Sequence, residues 1–370
     1  MSMVLGEQIL TALAQFSSAT RLYELQLGRD DADPGAGVLL VEAFAADDAV
    51  DAVGARDVIA LSTNAHIDLR DVLGQPATLA ISLPDGTRTT FNGGVTQAAM
   101  LGSEGGLARY RLRLTPWSWR LTQGRNSRVW QDMTIVEIVD AVFGDYAPLA
   151  QWRWSSDAHA FLAEVPARSY CCQYRESDHD FVRRLLTEEG ISWRVEQVED
   201  GHRMVLFADS TLLDGVPRDA SSSAGGGIRF HGARAGEQQD TVQALQAHRT
   251  LTSTLVTVAS YDYKAKKVVA ASAPSLQRHG SLPDLESYDV PGQYAYVGTA
   301  VAQHYAQLQI QACEARGQLW SGRSTVRTLA AGTRIDVTGS PLAAQSTFTV
   351  LRVTSVGVNN LPAPAQQGLA

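Results

Sequence analysis

The sequence predicts a mainly β protein in which two antiparallel β-barrels are joined by a mixed α/β region. Short apolar alternations recur through residues 20–120 and again through 236–360, as in barrels and sandwiches. Two capped helical patterns lie between them, and the small residues of Ser221–Gly227 are typical of a linker. We therefore expect a first barrel at 20–120, a mixed region at 121–235 and a second barrel at 236–360.

The first barrel contains a strand with arginine at every second position. Alternate residues of a strand point to the same face, so these arginines share one side of the predicted sheet. A solvated sheet face is the ordinary explanation of such a pattern. The alternative is an assembly face, which pairs with another subunit or lines a lumen. The three residues are Arg109, Arg111 and Arg113.

The mixed region contains two helix-start patterns. Thr134-x-x-Glu137 is a capping box, and Ser177 with Asp180 is a variant of it. Gly190 stands where a left-handed C-terminal cap is expected after the second helix. This pattern predicts a strand, a capped helix and a second strand within a short segment.

Charged residues around the second helix are predicted to be exposed. Arg184 is spaced to form i,i+4 ion pairs with Asp180 and Glu188. The acidic pairs Asp178–Asp180 and Glu188–Glu189 are interpreted as capping groups and solvated ion pairs, since successive helix residues point to different faces. In the strand that follows, period-two alternation places Arg194 on the solvent side.

The second barrel is predicted to carry a helical insertion at residues 298–317, where apolar residues follow helical spacing and Gly317 ends the pattern. Residues 1–19 are predicted to form an amphipathic arm. Residues 361–370 have the composition of a loose tail.

Charge and cysteine content exclude some classes of protein. A formal net charge of -8 argues against a dedicated nucleic-acid binder. The three cysteines, of which Cys171 and Cys172 are adjacent, suit neither a disulfide framework nor a metal site. The N-terminus lacks the basic region and apolar core of a secretory signal. We expect a protein that folds in the cytoplasm and, if exported, leaves without a signal peptide.

No catalytic or metal-binding motif is found. The sequence contains no H-E-x-x-H, C-x-x-C, G-x-S-x-G or phosphate-loop pattern, and its eight histidines lack metal-ligand spacing. We predict no enzyme activity, no metal and no cofactor. An enzyme or a glycan-binding β protein stays open as an alternative, because clustered tryptophans could stack on sugars. They are Trp117, Trp119, Trp130, Trp152 and Trp154.

The segment QYRESDHDFVRRLLTEEGISW, residues 173–193, resembles a signature of the VgrG spike proteins of type VI secretion. Segments at 107–139, 261–267, 288–294 and 348–360 resemble further family elements in the family's order. The last of these resembles the strand that closes the second barrel. The signature positions matched here are Gln173, Tyr174, Glu176, Ser177, Asp178, Phe181, Arg184, Leu185, Glu189, Gly190 and Ile191.

The resemblance implies a fold like that of phage baseplate hubs and a structural function. It implies a homotrimer that caps the hexameric Hcp tube and carries a PAAR-type tip and effectors. The tail at 361–370 is expected to lead towards the family's neck and needle, which this sequence lacks. A phage-tail or tailocin hub is the nearest alternative, because it shares the architecture and differs in its partners.

Overall fold

The computed structural model describes residues 21–28, 39–104, 106–199, 201–231, 239–277, 280, 282–340 and 346–361. The chain divides into two compact units. Unit 1 comprises the described residues of Met1–Arg229, Gly236–Asp240 and Val326–Ala370, and unit 2 those of Phe230–Ala235 and Thr241–Thr325. The predicted arm and the tail after Leu361 lie outside the described residues. None of the helices within the described ranges is long and apolar enough to cross a membrane.

A curled antiparallel sheet of seven strands begins unit 1. Its order is β1-β4-β5-β6-β3-β2-β20, so the last strand of the chain joins the sheet of the first strands. The short helix α1 (Leu69–Val72) follows β3. The strands are β1 (Tyr23–Leu27), β2 (Leu40–Ala49), β3 (Ala55–Ser62), β4 (Pro76–Ser82), β5 (Arg88–Glu104), β6 (Leu107–Thr115) and β20 (Arg352–Val358).

The position of β20 corrects the predicted second barrel. Residues 348–360 were expected to close that barrel, but Arg352–Val358 pairs antiparallel with β2, from Ala43 to Ala49. The alternation of a strand specifies which residues face inward but not which distant strand is its neighbour. Exposed Val356 and Val358 lie on the outer face of this edge strand.

Asn359, directly after β20, connects β2 with β1. Its side chain is buried and donates hydrogen bonds to the carbonyl oxygens of Tyr23 at 2.9 Å and Val41 at 2.7 Å. Its Oδ1 accepts from the Tyr23 backbone N–H at 3.2 Å. Gly357 permits the close approach, since a Cβ there would lie 2.4 Å from the Phe44 ring and 2.7 Å from Tyr23. The curled sheet is thus drawn together by a side chain at its end.

The mixed region supplies a second apolar core. Thr134 and Glu137 form the predicted capping box, and the helix α2 buries the predicted stripe from Ile135 to Phe143. Two small sheets flank the helices, with orders β10-β11-β8 and β7-β9. The elements are a 3-10 helix (Trp117–Thr122), β7 (Arg125–Trp130), α2 (Ile135–Gly144), β8 (Trp152–Trp154), α3 (Ser156–Leu162), β9 (Cys171–Ser177), α4 (Asp178–Glu188), β10 (Ser192–Val198) and β11 (Gly201–Phe207).

Arg194 on β10 is buried, which contradicts its predicted exposure. It is 4% exposed and donates from Nε to the Gly215 carbonyl at 2.7 Å and from Nη2 to Glu196 at 2.7 Å. Gly332, at φ 74°, packs against its methylene groups. Glu196 is a near neighbour on β10, but Gly215 and Gly332 come from distant parts of the chain, so strand alternation alone could not predict the burial of Arg194.

The predicted linker is a short helix instead. Within Ser221–Gly227, residues up to Ala224 belong to α5 (Ala220–Ala224), whose N-cap Asp219 accepts from the Ser221 backbone N–H at 3.0 Å. After it, β12 (Ile228–Arg229) pairs with β18 (Arg334–Thr338), and β18 pairs with β19 (Thr347–Thr349). The hydrogen bond from the N-cap stabilises a helix in a serine-rich sequence that has few apolar side chains to bury.

Unit 2 is a separate α/β body. The predicted helix is present as α6 (Thr299–Gly317) and packs on the inner face of the sheet β15-β14-β16, through residues including Ala302, Ala306 and Ile310. A second sheet pairs β13 with β17. The predicted helical insertion is therefore one element of a larger compact unit. Its strands are β13 (Val242–Arg249), β14 (Leu255–Asp262), β15 (Lys267–Pro274), β16 (Glu286–Asp289) and β17 (Gln318–Ser324).

Replacing Asn359 with Ala is expected to destabilise unit 1 by on the order of 3 kcal/mol, because buried backbone groups of Tyr23 and Val41 lose their partners. Thr354→Ala, at an exposed position of β20, is the matched control. Urea unfolding followed by fluorescence measures both. Equal midpoints for the two variants and the parent would rule out the proposed role of Asn359.

Acid is expected to weaken unit 1 through His202. Its Nε2 accepts from the Trp117 backbone N–H at 2.7 Å, and burial lowers its pKa from 6.5 to about 4. A lowered folded-state pKa means that the neutral ring stabilises the fold fully above pH 6.5. This contribution, at most about 3 kcal/mol, is lost as the pH falls towards 4.

The measurement is the free energy of unfolding between pH 7 and pH 4 for the parent, His202→Gln and His66→Gln. His202→Gln should flatten the pH dependence, whereas the exposed His66 should leave it unchanged. A parent and His202→Gln with the same slope would contradict the assignment.

Candidate assembly surfaces

The signature segment, residues 173–193, begins as a strand that leads directly into a helix. β9 pairs antiparallel with β7, and α4 starts immediately after Ser177. Ser177 Oγ accepts from the Asp180 backbone N–H at 3.0 Å and donates to the Asp180 carboxylate at 2.8 Å. The predicted cap is confirmed, and it fixes the angle between strand and helix.

Asp178 is the centre of a buried polar cluster. It is 1% exposed, and its carboxylate accepts from Gln173 Nε2 at 2.7 Å, Asn126 Nδ2 at 2.9 Å and Tyr146 Oη at 2.7 Å. Burial raises the pKa of Asp178, but these hydrogen bonds outweigh it, so the pKa lies below its ordinary value. The expectation of a solvated carboxylate was wrong, because donors from β7 and β9 take the place of water.

Glu189 is also buried, which again differs from the predicted solvated pair. Arg168 donates to Glu189 Oε1 at 2.5 Å and to Glu188 Oε2 at 2.9 Å. Burial alone would lower the pKa of Arg168, but the two carboxylates raise it above its ordinary value. The guanidinium thus holds the C-terminal end of α4 to the chain that precedes β9.

Arg184 has a different partner from those predicted. It donates to Glu176 Oε1 at 2.6 Å and to the Cys172 carbonyl at 3.1 Å, both on β9. The expected helix-surface pairs with Asp180 and Glu188 are replaced by this contact between helix and strand. Hydrogen bonding to Glu176 raises the pKa of Arg184.

The apolar members of the signature are in the core. Phe181 and Leu185 are fully buried on α4, and Ile191 is 3% exposed. Gly190 has φ 70°, which confirms the predicted left-handed cap. These residues position the helix against the mixed-region core and offer nothing to a ligand.

Tyr174 is the exception, because it is 72% exposed. Tyr170, 61% exposed, and the half-buried Cys172 lie on the same side of the strand, and Val129 on β7 faces them at 54% exposure. Cys171 is buried on the opposite side, because successive residues of a strand point to opposite faces. We call Tyr170, Cys172, Tyr174 and Val129 the tyrosine face.

We call Arg109, Arg111 and Arg113 on β6 the arginine ladder. Its charge is partly neutralised within the sheet. Arg109 forms an ion pair with Glu42 on β2 at 2.8 Å, and Arg113 forms one with Asp57 on β3 at 3.1 Å. Arg111 is exposed. Of the three, Arg111 is therefore the residue most available to another subunit.

Three of the five clustered tryptophans have partners within the fold. Trp117 is buried against Phe143 with ring centroids 5.2 Å apart. Trp152 and Trp154 both donate from Nε1 to Asp140, at 2.6 and 2.9 Å. Across the described ranges, no group of three or more His, Cys, Asp or Glu side chains is arranged to hold a metal ion.

The curled sheet and the mixed region, in which signature side chains pair within the fold, form a scaffold that matches a family of structural hub proteins. The family model of the phage tail baseplate hub matches residues 49–361, and the chain belongs to this family.

Within the family, the chain is similar to spike proteins of type VI secretion. It is 26% identical over 312 residues to the type VI secretion system spike protein VgrG1a of Pseudomonas aeruginosa, covering 84% of this chain and 46% of that protein. It is 28% identical over 320 residues to VgrG1b of the same organism, covering 86% and 41%. The chain thus spans less than half the length of these relatives.

Solved structures show the same fold. The Escherichia coli c3393 protein, described as a type VI component similar to bacteriophage T4 tail proteins gp27 and gp5, matches with a TM-score of 0.63 and 20% identity, over 90% of this chain and 73% of that chain. The 43 kDa tail protein of prophage MuSo2 from Shewanella oneidensis matches with a TM-score of 0.59 and 13% identity, over 92% and 96%.

Phe181→Ala and Tyr174→Ala provide a matched pair within the signature. The first removes a fully buried ring and should cost about 3–5 kcal/mol in unfolding free energy. The second removes an exposed ring and should leave the thermal midpoint unchanged. If Phe181→Ala melts like the parent while a partner interaction is lost, the signature helix is a binding element and not a folding element.

Arg111→Glu is expected to weaken self-association in a salt-dependent way if the ladder is an assembly face, since exposed charges are screened within about 10 Å at 0.1 M salt. Arg70→Glu, on α1, makes the same change of net charge at another exposed arginine. Sedimentation velocity at low and high salt compares the two. Equal effects of both variants would reduce the ladder to a solvated face.

Proposed function

We propose that this chain forms the hub portion of a VgrG-type spike and acts as a structural, non-enzymatic component of a type VI secretion system. The proposal is supported by similarity to the Pseudomonas aeruginosa spike proteins over most of this chain. The structural observation that carries it is the internal use of the signature carboxylates. Asp178, Glu176 and Glu189 all accept from neighbouring side chains, which leaves them to fix the fold and not to perform chemistry.

The proposed assembly is a homotrimer that caps the Hcp tube. A threefold assembly can share its rotation axis with a hexameric ring, so each copy would meet two subunits of the ring and contribute one chain to a threefold spike. A PAAR-type tip and effectors would attach through segments beyond the hub. Nucleic acid is not a proposed partner, since the chain is acidic.

We also propose that the hub assembles in the cytoplasm and is exported by the machine itself, without a signal peptide. The three cysteines support a reducing folding environment, because Cys171, Cys172 and Cys313 are all unlinked.

A phage-tail or tailocin hub is the second candidate, and the matching family model, which describes a phage tail baseplate hub, supports it. The sequence similarity to the spike proteins favours the first candidate. The glycan-binding or enzymatic alternative loses its main support, because Trp117, Trp152 and Trp154 are engaged within the fold.

The test is to combine the purified protein with Hcp rings from the same organism and to follow co-sedimentation and particle symmetry by electron microscopy. Threefold caps on rings, and loss of Hcp export after deletion of the gene, are the expected results. The type VI proposal is wrong if the protein does not bind the rings and deletion of the gene leaves Hcp export unchanged. Co-purification with phage-tail particles would instead favour the second candidate.

A further inference from the structure

All three lysines of the chain lie close together in unit 2: Lys264 and Lys266 in the turn between β14 and β15, and Lys267 at the first position of β15. Their side chains are exposed, and among the described residues no carboxylate forms an ion pair with any of them. The acidic residue of the turn, Asp262, is only 7% exposed and faces inward. The turn therefore concentrates unpaired positive charge at one place on an acidic protein.

This turn is held rigidly. Asp262 Oδ1 accepts from the backbone N–H groups of Lys264 and Ala265, each at 2.9 Å. Lys266 has φ 54°, a left-handed conformation that costs a residue with a Cβ about 1 kcal/mol or more. A glycine or asparagine would adopt it more easily. The lysine at this position therefore has a backbone cost, which a contact made by its side chain would offset.

Tyrosines surround the lysines. Lys264 Nζ lies 4.4 Å from the ring centroid of Tyr294 and 5.9 Å from that of Tyr263, and the two rings are 5.5 Å apart. Tyr294 also has a left-handed conformation, φ 57°, and its N–H donates to the Tyr261 carbonyl at 2.8 Å. We define the basic corner as Tyr261, Tyr263, Lys264, Lys266, Lys267 and Tyr294.

An apolar sheet face continues from the basic corner. Tyr261 on β14 is directly opposite Val268 on β15, at 43% and 66% exposure. On the other side of β14, Tyr288 is 64% exposed and pairs in register with Thr257. Exposed aromatic residues beside fixed cations match the composition of protein interfaces, in which tyrosine is enriched.

We propose that the basic corner is a contact site for a carboxylate-bearing surface on a second copy of this chain. The chain has 39 acidic residues against 31 lysines and arginines, so a neighbouring copy presents a complementary charge. A corner that meets a different surface of its neighbour gives a head-to-tail contact, and such contacts form a ring when the rotation between neighbours closes. The proposal rests on the multi-copy hub proposed above and assigns one of its contacts.

Polyanions are the competing occupants. Long-range repulsion opposes both kinds of partner, because a second copy also has a net charge of -8. DNA and anionic membranes present negative charge alone, whereas a second copy presents its carboxylates among 31 lysines and arginines, so local complementarity can offset the repulsion. Both polyanions are therefore included in the test as outcomes that would overturn the proposal.

Zero-length carbodiimide coupling is a selective probe, because it joins amines to carboxylates and the side-chain amines of this chain are confined to the basic corner. Protein labelled with ¹⁵N is mixed with unlabelled protein, coupled and analysed by mass spectrometry. We expect heavy–light peptides that join Lys264, Lys266 or Lys267 to an acidic residue. Their yield should fall several-fold at high salt.

Two double variants separate charge from reactivity. Lys266→Arg with Lys267→Arg keeps the charge, so self-association in sedimentation should persist while cross-links at these positions are lost. Lys266→Gln with Lys267→Gln removes the charge, and self-association should weaken several-fold. Unchanged association in the glutamine variant, or the absence of heavy–light peptides, overturns the proposal.

Two further measurements complete the test. Tighter binding of the basic corner to anionic phospholipid vesicles or to a single-stranded oligonucleotide than to the protein itself would also overturn it. Finally, acylation rates of the lysines are compared in the monomer and in ring-bound assemblies. If assemblies form while the lysines stay fully reactive, the basic corner is not a contact, and the proposed hub function is unaffected. If no assembly forms, both proposals are wrong.

Discussion

The side-chain amide of Asn359 bonds groups that are 336 and 318 residues away in the chain, on β1 and β2. The curled sheet is complete only when β20 pairs with β2, because β20 forms one edge of the sheet. Asn359 follows this strand directly. Bringing such distant segments together carries a large entropic cost, which dense hydrogen bonding and close packing at Gly357 offset. In sequence, unit 2 is therefore inserted between the first six strands of this sheet and its seventh strand, β20.

Buried polar contacts between distant segments also hold the mixed region together. Asp178 accepts hydrogen bonds from donors on β7, on β9 and in the chain after α2. Arg168 forms ion pairs with Glu188 and Glu189 at the C-terminal end of α4. The carboxylates of Asp178 and Glu189 are buried with their partners, so removing a partner would leave a buried charge unpaired, at considerable cost in stability. Such clusters restrict the arrangement of the elements, and this explains why an ionic signature can be structural.

Local signals in the sequence predicted the local structure well. The capping box at Thr134, the Ser177 cap, the left-handed Gly190 and the helix from Thr299 each depend on neighbouring residues, and all are present. The mainly β fold class was likewise predicted from alternation and resemblance.

Features that depend on distant partners were not predictable in the same way. The pairing of β20 with β2 is not encoded in the alternation of either strand. Asp178, Glu189 and Arg194 have ordinary surface character until their partners are known, and Ser221–Gly227 resembles a linker until Asp219 caps it. The arginine ladder was visible as a pattern, but the division between paired Arg109 and Arg113 and exposed Arg111 required Glu42 and Asp57 to be located.

The position of Asn359 has a mechanical consequence when force is applied to the chain that follows it. Any segment that follows Leu361 is attached immediately after the asparagine and the β2–β20 ladder. Tension on that segment would load many ladder hydrogen bonds together with the amide contacts to Tyr23 and Val41, so the first and last strands would share the load. The strand that would carry this load, β20, is thus the same strand that completes the curled sheet.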